Sequence, residues 1–176
     1  IPVFPLSGVI YFPKTNLPLN IFEERYINLV NDAYKKDKYM GMIQLKKDGE
    51  KVYEIGCLGK ISDFQKIKDG RILINLTGVS RFKILNEISN NKLYREFKVD
   101  YTNFINDIET IHKYVDSNLL IEKSKAFFKK NGLLLNWREF EKLDQLQRIN
   151  TLAMIAPITN EEKQKLLESI SLDNKV

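Results

Sequence analysis

The chain of 176 residues is 43% hydrophobic with a single cysteine, so it can bury a sizeable core without disulfides, and Cys57 alone excludes an internal bridge or a cysteine-based zinc site. The formal net charge of +5 sits in residues 1–101, which hold 17 Lys/Arg against 12 Asp/Glu, while residues 102–176 balance at 11 against 11. The lysines are scattered among acids and form no dense run, and no apolar stretch approaches the roughly 20 residues of a membrane helix, the longest being "GLLLNW"; the expectation is a cytoplasmic protein without a membrane partner.

The opening, "IPVFPLSGVIYFPKTNLPLN", carries four of the five prolines. Proline lacks a backbone donor and fixes its own φ, so this stretch reads as edge strands and turns, packed on a core because Val3, Val9, Tyr11, Phe12 and Leu19 are too apolar for a linker. Phe22, Tyr26, Leu29, Val30 and Ala33 then recur at helical spacing behind Glu23 and Glu24, which predicts a helix from Asn20 or Glu23 to Tyr34. From Met40 to Tyr101 come short β-type runs, "MGMIQLK", "KVYEIGCLGKI", "DFQKI", "RILINLTGV", "RFKILNEI" and "REFKVDY", with alternation clearest at Phe97, Val99 and Tyr101. Asp69-Gly70 between two of them predicts a hairpin with a two-residue type I′ turn.

Past Thr102 the pattern becomes helical. Ile108, Ile111, Val115 and Leu119 form a stripe, and Asn131-Gly132 closes the segment that carries Phe127 and Phe128. Asn136 with Glu139 resembles a capping box ahead of a face made by Leu143, Leu146, Ile149, Leu152 and Ala153, which runs to Pro157. Thr159 with Glu162 repeats the device before a last helix with Leu166, Leu167 and Ile170. The expected domain has a strand-rich lobe over 1–101 and a helical lobe over 102–176.

Catalytic constellations are missing from the sequence. His112 is the single histidine, which excludes a two-histidine zinc motif, and no serine or cysteine nucleophile motif accompanies it. Neither a phosphate-cradling Gly-Lys-Ser/Thr loop nor a G-x-G-x-x-G fingerprint occurs. Cys57, between Gly56 and Leu58 in an apolar run, reads as a small buried residue. Glu23-Glu24 and Glu161-Glu162 fall at helix starts, where the dipole favours anions. No catalytic residue, metal or cofactor is expected.

Three blocks in order, Phe4 to Tyr26, Gly56 to Ile61 and Gly78 to Phe82, resemble the N-terminal substrate-binding domain of Lon proteases, through Phe-Pro-Leu, Phe-Pro, Leu-Pro-Leu, Ile-Phe-Glu-x-Arg-Tyr, Gly-Cys-x-Gly-x-Ile and Gly-x-x-Arg-Phe. Asn20 departs from the family, where a histidine often stands. The tail "NTLAMIAPITNEEKQKLLESISL" resembles the end of free-standing relatives made of this domain alone. The resemblance implies an α+β fold: a small β-barrel of the pseudouridine-synthase-and-archaeosine-transglycosylase type with an inserted helix, followed by a helical lobe. It also implies a non-catalytic module for unfolded or tagged polypeptides, as a stand-alone relative or an adaptor for a protease. RNA binding is the alternative, drawn from the barrel type and from Tyr11, Tyr53, Phe64 and Tyr94 interleaved with basic residues. Tyr11, Phe12 and Phe64 are the candidate substrate-binding residues, whereas Arg25 and Arg81, set in apolar motifs, are expected to partner carboxylates or carbonyls.

Overall fold

A computed structural model describes residues 1–108 and 117–170. Its strands are β1 (Pro2–Leu6), β2 (Asn16–Ile21), β3 (Tyr39–Gln44), β4 (Ile55–Lys66), β5 (Ile72–Ile88) and β6 (Arg95–Asp100). The helices are α1 (Glu24–Lys35), α2 (Ser117–Lys130), α3 (Trp137–Phe140), α4 (Gln145–Ile155) and α5 (Asn160–Glu168), with a 3-10 segment at Thr102–Asp107. His112, Ile111 and Val115 lie outside the described residues.

The strands form one mixed sheet in the order β2-β5-β4-β3-β1-β6, and β6 pairs again with β5. The sheet therefore closes on itself through β5, whose first part pairs with β2 and β4 and whose last part pairs with β6. One long strand makes the closure, so the result is an α+β fold on a barrel-like sheet rather than a regular barrel.

Two expectations about the strands are corrected. The prolines of β1 are not on an edge strand: β1 lies between β3, to which it runs parallel, and β6. Pro5 is tolerated because the ladder to β6 covers Pro2 and Val3 alone, which leaves no partner on that side to receive a donor from position 5. Pro18 does sit on an edge, since β2 has a ladder to β5 on one side only. From Ile55 onward the run "KVYEIGCLGKI" shares one strand with "DFQKI", and "RILINLTGV" shares one with "RFKILNEI". Register shifts between Leu58 and Gly59 and between Ile61 and Asp63 break the alternation without ending the ladder.

The hairpin at Asp69-Gly70 is where it was expected, but its loop differs. Ile67 N–H donates to Arg71 O at 2.8 Å and Gly70 N–H to Ile67 O at 3.0 Å, and φ is +92° at Gly70. Asp69 is not among the residues with positive φ, so the turn is a three-residue loop with glycine in the left-handed position, not a type I′ pair. Asp69 instead accepts from Arg71 N–H and pairs with its guanidinium at 2.8 Å.

Helix α1 buries Tyr26, Leu29, Val30 and Ala33 against the sheet. Phe22 does not join that stripe; it precedes the helix and is 66% exposed. The helix expected from Asn136 to Pro157 is two, α3 and α4. Asn136 accepts from Glu139 N–H at 3.3 Å and starts only a short helix, while Asp144 and Gln147 form a reciprocal capping box that starts the next. The box at Thr159 and Glu162 is complete in both directions. Helix α2 closes with Leu133 N–H on Phe128 O at 2.9 Å and Gly132 N–H on Lys129 O, a Schellman closure.

The main core joins Phe4, Tyr11, Met40, Met42, Cys57, Ile61, Ile74 and Leu76 to the buried face of α1. A second cluster of Val3, Ile43, Phe82 and Phe97 lies between β1, β3, β5 and β6. A third packs Ile10 and Phe12 of the opening segment against Ala153 of α4 and Leu167 of α5.

Candidate functional site

The three sequence blocks meet in space. Gly56 of β4 stands opposite Phe82 of β5. Gly78 exchanges hydrogen bonds with the loop after Phe12-Pro13, receiving Lys14 N–H and donating to Thr15 O, both at 2.9 Å. A Cβ at Gly78 would lie 2.2 Å from Phe12 O, so the approach of those two backbones requires glycine. Arg81, three residues after Gly78, is 4% exposed and grips the 3-10 segment and the end of α5 together. Its guanidinium bonds Asp107 through Nε at 2.8 Å and Nη2 at 2.7 Å, and Nη1 donates to Leu167 O at 3.0 Å and to Ser169 O. Arg25 pairs with Glu23 at 2.9 Å and lies over Tyr26. Both arginines thus partner carboxylates, as their motif setting implied.

The expected site residues are not brought together. Tyr11 is 2% exposed in the main core and donates its hydroxyl to Leu76 O at 2.7 Å; burial pushes its phenol well above the ordinary range. Phe12 is fully buried in the cluster beneath α4 and α5. Ile10 and Phe12 join one cluster and Tyr11, between them, the other, so one ring fills each core. Phe64 reaches the surface. It is half-buried on β4, packed against the edge of the main core, with its ring stacked on Tyr34 at 4.1 Å and an interplanar angle of 16°.

Tyr34 is a partner that no motif in the sequence marks. It stands in the last turn of α1, 37% exposed. Ammonium groups flank the pair: Lys38 Nζ lies 4.9 Å from the Tyr34 ring centre and Lys66 Nζ 6.0 Å from that of Phe64. Rigid, partly wet aromatic faces between cations can take up apolar side chains and can accommodate acidic groups beside them. A second apolar surface lies at the β5–β6 hairpin, where Leu85, Ile88 and Leu93 are 54%, 44% and 60% exposed. Glu87 and Arg95 clasp each other there through two bonds of 2.8 and 2.7 Å, which holds the Glu87 carboxyl below the usual carboxylate range. The first surface needs α1 docked beside β4 and the second needs β5 paired with β6; the only sequence trace of the second is that apolar residues continue in "KILNEI" where β5 outruns the core.

Among the described residues no group of three His, Cys, Asp or Glu side chains could hold a metal, and no helix is long and apolar enough to cross a membrane.

A family model described as the ATP-dependent protease La (LON) substrate-binding domain matches residues 1–176. The chain is similar to the Lon protease of Dictyoglomus thermophilum, at 25% identity over all of this chain and 23% of that protein, and to that of Heliobacterium modesticaldum, at 29% over 54% of this chain and 12% of that protein. It spans a quarter or less of these relatives. Its fold is that of a Lon N-terminal domain protein from Xanthomonas campestris, at a TM-score of 0.69 and 19% identity over 97% of this chain and 90% of that one. The N-terminal domain of a Mycobacterium avium complex Lon protease gives the same TM-score at 17% identity, covering 99% and 92%. With the motif blocks converging on one junction and the whole length matched, the chain belongs to the family of Lon substrate-binding domains.

Proposed function

We propose that this chain binds unfolded or tagged polypeptides without cleaving them, as a stand-alone module or an adaptor that delivers clients to a protease in the cytoplasm, and that residues 1–101 and 102–176 act as two lobes of one binding domain. The family match supports binding of polypeptide substrates. The observation that carries the choice of surface is the Tyr34–Phe64 stack, held against the core and yet open to solvent. Phe64 is the contact residue of the three expected ones. Tyr11 lies in the core cluster against which Phe64 packs and serves as its support, and Phe12 anchors the opening segment.

Apolar contacts of this kind give binding that changes little with salt, whereas phosphate contacts through lysines weaken steeply as salt rises. The test titrates a labelled, permanently unfolded polypeptide and a labelled single-stranded RNA at low and high salt, against the unmutated chain and a Tyr34→Ser/Phe64→Ser variant. Polypeptide binding is expected to persist at high salt and to weaken about tenfold in the variant, the loss expected for an aromatic contact. Salt-sensitive RNA binding with no polypeptide binding would replace this reading with the RNA alternative.

A further inference from the structure

A small cavity of about 10 Å³ lies where the opening segment, the end of β3 and α5 meet, lined by Val9, Ile10, Met42, Leu167 and the two glutamines Gln44 and Gln164. Both glutamines are buried, at 7% and 1% exposure, and the Oε1 of each has no donor among the described residues. Gln164 cannot solve this by turning its amide. Its Nε2 already donates to Ile55 O at 3.1 Å and to Glu168 Oε1 at 2.9 Å, so a turn would set its oxygen against two acceptors. Tyr11, which also lines the cavity, has its one hydroxyl proton on Leu76 O.

Two buried acceptors without donors need a group that brings two protons, and leaving either unmet is costly. A cavity that admits a single water-sized probe has about the smallest volume that holds one water. A cation is disfavoured, because the lining has no charged side chain and two neutral oxygens are too few to replace a hydration shell. We propose that the cavity binds one water molecule, which donates to Gln44 Oε1 and to Gln164 Oε1 and so joins β3 to α5. The bridge would add β3 to β4, the strand that α5 already bonds through Gln164 and Ile55 O.

The first test is a high-resolution crystal structure of the unmutated chain, in which density for one water between the two Oε1 atoms is expected. Density showing the Gln44 amide turned so that Nε2 donates directly to Gln164 would overturn the proposal, as would an empty cavity. In solution, oxygen-17 relaxation dispersion of the solvent counts long-lived internal waters. Gln44→Leu removes one acceptor, and the count is expected to fall by one; an unchanged count would sink the idea even if the crystal were ambiguous.

Discussion

The sheet and the C-terminal helices are held by different means. Each strand is joined to its neighbours by runs of backbone pairs, up to the eleven between β4 and β5. Helices α4 and α5 are held by one small apolar cluster, in which Ala153 and Leu167 meet Ile10 and Phe12, and by a few buried side chains that bond main-chain carbonyls far away in sequence. Asn150 of α4 donates to Pro13 O at 2.9 Å, Gln164 of α5 to Ile55 O, and Arg81 of β5 to Leu167 O. A ladder shares its stability over many bonds, whereas a tether concentrates it in one residue. Single substitutions should therefore loosen the helices while leaving the sheet's own pairing in place.

The largest effect is expected at Arg81. Arg81→Met leaves Asp107, itself 4% exposed, as a buried charge without its partner, which costs about 3–5 kcal/mol. Adding Asp107→Leu should recover part of that loss, because the unpaired carboxylate goes with it. Chemical denaturation measures both; a single variant within about 1 kcal/mol of the parent would mean that the guanidinium is not what holds the end of α5. Next comes Asn150→Leu, which strips the buried Pro13 carbonyl of its donor and should cost about 1–3 kcal/mol. If the contrast between tether and ladder is right, amide exchange in this variant quickens in α4 and α5 before it quickens in β4 and β5. Uniform quickening would break the contrast. The smallest effect tests the sheet itself: Gly70→Val places a branched side chain at a φ of +92° and should cost about 1 kcal/mol or more. An unchanged midpoint there would show that the hairpin loop relaxes freely and plays no part in setting the register of β4 and β5.

How far the sequence foretold all this depended on the range of the signal. Local chemistry read well: the Thr159–Glu162 box, the glycine after α2 and the position of the Asp69-Gly70 turn are each written within a few residues. The break between α3 and α4 was equally local, in Asp144 and Gln147, but the apolar face running from Leu143 to Ala153 masked it. Bulges misled in the opposite direction, since they interrupt alternation in β4 where the ladder continues. Pro2 and Pro5 suggested an edge because a proline reports only its own missing donor, not whether a neighbour stops short of it. The candidate site was the least legible part. Tyr11 and Phe12 carry the same apolar signal whether they face a partner or a core, and the Tyr34–Phe64 stack joins residues thirty positions apart on a helix and a strand. Only the docking of α1 on the sheet brings those two rings together.

The closure of the sheet also dictates an order of events at the ribosome. Pro2 and Val3 of β1 pair with Glu96 and Arg95 of β6, and Phe97 N–H donates to Ile1 O at 3.0 Å. The strand made early must wait for one made some ninety residues later, a delay on the order of ten seconds at ordinary rates of synthesis. Meanwhile β1 has β3 alone as a companion, in the parallel arrangement that is the weaker of the two. For that interval the nascent chain presents an open edge beside unfilled apolar positions such as Val3 and Ile43, the kind of surface that invites aggregation or a chaperone. A domain of a substrate-binding family thus passes, during its own synthesis, through a state with apolar surface and a strand edge of its own to cover.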